Sequence, residues 1–128
     1  MRGVLDTSIF IAAEQGRRLA TDSLPEEAAV SVVTIAELEL GVHLAMGPKG
    51  RRGRLATLSA VQSTYAALPI DDEVASAFAQ IAAEAKRPGR RPRVQDSWIG
   101  ATAAARQVPV FTQDADFDGI PGVQVVRV

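Results

Sequence analysis

The chain predicts an α/β fold, a three-layer α/β/α sandwich around a mostly parallel, five-stranded sheet. Three observations lead there. Short apolar runs (GVL at 3–5, AAVSVV at 28–33, VPVFT at 108–112) alternate with longer stretches of helical periodicity. These runs are apolar on both faces, as strands covered by helices on each side must be. Aromatic residues make up only 5% of a chain that is 47% hydrophobic, so Ala, Val, Leu and Ile dominate, which suits close packing of helices on a sheet. No internal repeat or linker interrupts the pattern, so residues 1–128 are expected to form one domain.

The first strand, Gly3-Val4-Leu5, ends abruptly at Asp6, and Thr7 or Ser8 is expected to cap a helix carrying Ile9, Phe10 and Ile11. A polar connection through Pro25-Glu26-Glu27 leads to a second strand, Ala28–Val33. Thr34 and Glu37 have the spacing of a capping box, which places a helix from Ile35 to about Met46, stopped by Gly47-Pro48. Lys49–Arg54 (KGRRGR) reads as a basic turn before a helix carrying Leu55, Leu58, Val61 and Tyr65. Ala66–Ile70 fits a short edge strand, where Pro69 is tolerable. Asp71 or Asp72 caps a helix from about Glu73 to Ala85, with Val74, Ala77, Phe78 and Ile81 on one face. Two prolines and a glycine make Lys86–Arg93 (KRPGRRPR) a loop, after which Asp96 opens a helix from Ser97 to about Arg106. Strand Val108–Thr112 is followed by Asp114, Asp116 and Asp118 in a loop, and Val123–Val128 closes the sheet.

Composition removes several kinds of chemistry. With no cysteine there are neither disulfides nor thiolate metal sites, which fits a reducing cytosol. Asp6 and Glu14 interrupt any secretory-signal pattern, so a cytoplasmic location is expected, and no apolar run reaches the roughly 18 residues of a membrane span. One histidine, His43, leaves no multi-histidine zinc site, and it reads as a helix-surface residue. The net charge of −1 excludes attraction of polyanions by bulk charge.

Carboxylates remain. In an open α/β sheet, ligands collect beyond the carboxyl ends of the strands, and right-handed crossovers bring those ends to one edge. Asp6, Glu37, Asp96 and the Asp114/Asp116/Asp118 cluster all stand where strands end or helices begin. Acids gathered there raise one another's pKa unless a cation joins them, and oxygen ligands suit a hard cation such as Mg²⁺, with Mn²⁺ as a substitute. Water polarised by such an ion is a nucleophile that needs no histidine. Gly41 and Gly100 follow Glu37 and Asp96 by four residues, leaving bare backbone either for ion, water and phosphodiester or for close helix packing. Asp114 to Gly119 imitates the start of an EF-hand loop, but Val125 stands at the twelfth position and Pro121 breaks the loop. Nine of the fourteen lysines and arginines lie in the two basic runs, which read either as solvated loops or, for Lys86, Arg87, Arg91 and Arg93 ahead of Asp96, as cations flanking the acids to hold a polyanionic backbone. Trp98 and Tyr65 could stack on a splayed base, although a core or interface role fits Trp98 better.

Asp6 in VLDTS, Glu37 in TIAELELG, Asp96 in QDSWIGATA, and TQDADF after a strand together resemble the PIN-domain nucleases, in particular VapC-type toxins of bacterial type II toxin–antitoxin pairs. The resemblance spans nearly the whole chain, in order. It implies an Mg²⁺- or Mn²⁺-dependent endoribonuclease that cuts a structured RNA such as a tRNA anticodon region or ribosomal RNA loop. It also implies a homodimer and a cognate VapB-type antitoxin that blocks the site. Carried onto matching positions, it makes Asp6 and Asp96 the main metal ligands and Glu37 a ligand or an orienter of the attacking water. Asp114 becomes the fourth acid, with Asp116 able to take that place. Thr112 would hydrogen-bond a ligating carboxylate, with Thr7 and Ser8 supporting the same edge. Trp98 departs from the family pattern in a segment where residues usually vary. A non-catalytic RNA- or partner-binding module is a second reading, disfavoured because all four acids are present. An Mg²⁺-dependent phosphatase or phospho-acceptor is a third. It would want D-x-D or a late lysine, whereas Thr7-Ser8 follow Asp6 and no lysine follows Lys86.

Overall fold

The computed structural model describes residues Met1–Val128. Five strands, β1 (Arg2–Leu5), β2 (Glu27–Ser31), β3 (Ala66–Leu68), β4 (Val110–Thr112) and β5 (Val125–Arg127), form one sheet in the order β3-β2-β1-β4-β5. Each neighbouring pair is parallel, so the sheet is wholly rather than mostly parallel. The helices are α1 (Thr7–Glu14), α2 (Val32–Leu44), α3 (Gly47–Thr64), α4 (Asp72–Lys86) and α5 (Val94–Ala105), with short 3-10 turns at Thr21–Ser23 and Ala115–Gly119.

Strand alternation produces the three layers. Successive strand residues point to opposite faces. Accordingly Val4 and Val110 join Val74, Ile81 and Ile99 of α4 and α5 on one side of the sheet. Leu5 and Phe111 join Ile9, Phe10, Leu38, Val42, Leu58 and Val61 of α1, α2 and α3 on the other. Gly3 admits the Phe111 ring against the backbone of β1, since a Cβ there would collide with Cε1 of that ring. The chain winds outward from β1 in both directions, through β2 and β3 and then through β4 and β5. The carboxyl end of β1 is therefore the switch point of the sheet, the place where ligands collect in open α/β folds.

Several local expectations give way to tertiary context. Asp6 itself caps α1, its Oδ2 accepting from the Ser8 N–H at 3.3 Å, so neither Thr7 nor Ser8 is the cap. Ser31 caps α2, accepting from the Val33 N–H at 3.1 Å, and the Thr34–Glu37 capping box does not form because Thr34 is buried inside the helix. Gly47-Pro48 opens α3 instead of merely ending α2. Gly47, at φ 78°, reverses the chain, and proline is accepted in a first turn whose N–H groups lack partners anyway. The basic run Lys49–Arg54 is thus helical. Helix α5 begins at Val94, making Asp96 its third residue, and the acidic loop after β4 folds into a 3-10 turn capped by Asp114. No helix is long and apolar enough to cross a membrane.

Candidate active site

Asp6 follows β1 directly and is only 4% exposed, so its carboxylate depends on partners supplied by the fold. The Thr112 hydroxyl, at the end of β4, donates to Asp6 Oδ2 at 2.8 Å. The same Thr112 oxygen accepts from the Asp114 N–H at 2.9 Å and lies 3.1 Å from the Ser8 hydroxyl, which accepts from the Gln113 N–H at 3.0 Å. This network joins the ends of two central strands to the start of α1. Glu37, half-buried on α2, receives the Thr7 hydroxyl on Oε1 at 2.7 Å, and Thr34 Oγ1 lies 3.0 Å from the same Thr7 oxygen. Asp6 Oδ1 and Glu37 Oε2 are left free of hydrogen bonds within the chain.

Asp96, 3% exposed on the first turn of α5, meets Arg93. Arg93 Nε lies 3.0 Å from Asp96 Oδ2, and its Nη2 lies 2.8 Å from Asp114 Oδ2, so one guanidinium bridges two acids from different elements. The Asp116 carboxylate is exposed at the margin, its backbone N–H held by Asp114 Oδ1 at 2.9 Å. Asp118 turns away to Arg127, at 3.4 Å.

The fields of these groups overlap. Burial pushes the Asp96 carboxyl up to about 6, against the opposing pull of Arg93, with Asp6 and Asp114 raising it further. Burial also raises Glu37, offset by the hydrogen bond from Thr7 and reinforced by Asp6. Arg93 is held more firmly protonated, chiefly by Asp96. Asp6, Glu37, Asp96 and Asp114 thus share one edge of the sheet. As they stand, no three of them are close enough together to enclose a metal ion. The cation between Asp96 and Asp114 is the Arg93 guanidinium. The donor set nevertheless fits a hard divalent ion: it is all oxygen, two of those oxygens are free, and a positive charge already bridges two of the acids.

The other expected residues divide clearly. Arg93 does not stand free for RNA but lies on the acids. The signal that could have revealed this is its spacing of three residues from Asp96 at a helix start. Lys86, Arg87 and Arg91 are exposed, and Lys86 and Arg91 line a cleft of about 620 Å³ between α4 and α5, which Ser97 also lines. Gly100 serves packing, since a Cβ there would lie 3.1 Å from Val123 Cγ2, whereas a Cβ on Gly41 would meet only the stem of Arg54, at 3.8 Å. Gly41 lines a cleft with Leu44, Met46 and Arg54 that includes no acid. Trp98 stacks on Phe78, with centroids 3.8 Å apart, and packs against the core, while Tyr65 tilts against Phe10. His43 is exposed in the last turn of α2.

A family model described as the PIN domain matches residues 3–123. The sequence is similar to Ribonuclease VapC5 of Mycobacterium tuberculosis, 46% identical over 129 residues, covering 98% of this chain and 95% of that protein. Ribonuclease VapC4 of the same organism is 38% identical over 127 residues, covering 99% and 97% of the two chains. Among solved structures, the VapBC-5 toxin–antitoxin complex of M. tuberculosis contains a chain that superposes with a TM-score of 0.91 at 42% identity, covering 99% of this chain and 98% of that one.

Proposed function

The chain belongs to the PIN-domain family, and from that premise we propose that it is a divalent-metal-dependent endoribonuclease, the toxin of a VapBC-type toxin–antitoxin pair. One observation carries the reading. Carboxylates from four separate parts of the fold share the carboxyl edge of a parallel sheet, at its switch point, within one another's fields. Relatives covering nearly the whole chain are named ribonucleases, which supports the same reaction here.

In this proposal Asp6, Asp96 and Asp114 hold Mg²⁺ or Mn²⁺, with Asp116 at the margin able to replace Asp114. The ion supplies positive charge that acidifies water and offsets charge on the phosphodiester oxygens. The chain's own groups do the positioning. Thr112 and the Ser8 N–H hold Asp6 by Oδ2 and leave Oδ1 without a partner in the chain. Thr7 holds Glu37 by Oε1, so Oε2 can orient the attacking water and take its proton. Burial raises the Glu37 carboxyl, which makes it a stronger proton acceptor than a free glutamate. Lys86, Arg87 and Arg91 hold the RNA backbone beside the acids without reading bases. An exposed loop of a tRNA or ribosomal RNA, whose splayed bases a protein can read directly, is the substrate class proposed.

Partner binding belongs to the same proposal. Leu40, Leu44, Met46 and Leu55 are large apolar side chains left exposed on and between α2 and α3, Met46 at 93%. That surface suits the apolar face of an antitoxin segment, and a homodimer is expected as for the VapC-type family.

The deciding experiment incubates the purified chain with total bacterial RNA in Mn²⁺, Mg²⁺ or EDTA and maps new 5′ ends. Discrete cuts with metal, none with EDTA, and none from Asp6→Asn or Asp96→Asn are expected. Undiminished cutting in EDTA would remove the metal from the mechanism.

A further inference from the structure

The strongest unexplained interaction in the site is that of Arg93. We propose that Arg93 is an exchange cation: without metal its guanidinium neutralises Asp96 and Asp114, and a divalent ion displaces it from those same oxygens, freeing it for RNA phosphate. The inference rests on the reading of the acid edge as a metal site and adds a role for a residue outside the acid set.

Four observations support the exchange. Asp96 is 3% exposed, and an ionised carboxylate that deep needs a countercharge. Arg93 is the one cation within ion-pair distance of either Asp96 or Asp114, and it meets Oδ2 of both, at 3.0 and 2.8 Å. No three acids enclose an ion in this arrangement, so the charge between Asp96 and Asp114 is held by the guanidinium and must leave before an ion can use both oxygens. Finally, the Arg93 side chain is 60% exposed and the residue precedes α5 at the end of the loop from α4. The side chain belongs to neither hydrophobic core, so displacement disturbs little of the packing.

Chemistry decides where the freed side chain goes. A guanidinium expelled from carboxylates prefers another planar or tetrahedral oxyanion, and phosphate is the one an RNA brings. Arg91 and Lys86 already line the neighbouring cleft, so Arg93 would join an existing cationic track. Metal and RNA would then bind with positive coupling, each strengthening the other by the same factor. A permanent structural bridge would behave differently, staying in place while metal bound elsewhere.

The test uses full-length wild type, Arg93→Gln and Arg93→Lys, with Mn²⁺ binding read by calorimetry in the absence of RNA and melting read in EDTA and in saturating Mn²⁺. Arg93→Gln should bind Mn²⁺ about tenfold more tightly than wild type, the scale of one partly exposed ion pair removed from competition. It should melt lower than wild type in EDTA, where the acids have lost their only countercharge, and the gap should close in Mn²⁺. Arg93→Lys, which keeps the charge but not the fork, should fall between the two in Mn²⁺ affinity. Equal or weaker Mn²⁺ binding by Arg93→Gln would overturn the exchange while leaving the ribonuclease reading intact. Failure of wild type and Arg93→Gln alike to bind Mn²⁺ would overturn both.

Discussion

Asp96 shows how burying one acidic side chain costs stability. Its carboxyl titrates at about 6 in the fold against 3.8 when unperturbed. Between those values the native state holds a proton that the unfolded chain has lost, so stability falls as pH rises through that window and the full penalty persists above it. The neutral isostere Asp96→Asn should therefore melt higher than wild type at about pH 7.5 in EDTA. The advantage should fade on acidification to about pH 4, where Asp96 in the fold is protonated. Melting curves across that range check the sign, and an advantage independent of pH would mean that ionisation is not its source. The same titration weakens divalent-ion binding below about pH 6, since the ion and the proton compete for one carboxylate.

Among the elements, β1 and β4 position the site most directly, through backbone pairing and one close approach. Val4 and Leu5 pair with Val110 and Phe111, and the Phe111 ring fills the space a Cβ on Gly3 would need. Gly3→Ala must push that fully buried ring aside, which should cost about 1–3 kcal/mol by overpacking. Urea titration measures the loss, and wild-type stability would show that the ring yields without strain. These elements are legible in outline because apolar β-branched runs and helical periodicity are local properties. Their ends are less so. Thr34 has a capping-box spacing but is buried, and Gly47-Pro48 opens a helix although its composition signals only an end. In each case packing across the hairpin of α2 and α3, or against the sheet, outweighs a local preference worth about a kilocalorie.

At the scale of the whole molecule, charge is arranged rather than abundant. A chain with net charge −1 gathers four of its acids at one sheet edge, and the loop of lysine and arginine runs into Arg93, which pairs with two of them. Charge reversal at Lys86 and Arg91 should weaken RNA binding at every sequence and lower the salt slope by roughly one for each phosphate no longer neutralised. Filter binding across salt concentrations reads that slope, and an unchanged slope would make the loop plain solvated surface.

Residue order alone predicts the layers and narrows the chemistry open to them. Apolar strands must be covered on both faces, and with one histidine and no cysteine, acids at strand ends are the reactive groups left. Which oxygen meets which donor is settled only on folding. Thr112 and Asp6 are 106 residues apart, Thr7 and Glu37 are 30 apart, and Arg93 joins Asp96 to an Asp114 that lies 21 residues beyond Arg93. Such partnerships depend on the register of the strands and the pitch at which helices leave them, which no stretch of chain encodes by itself.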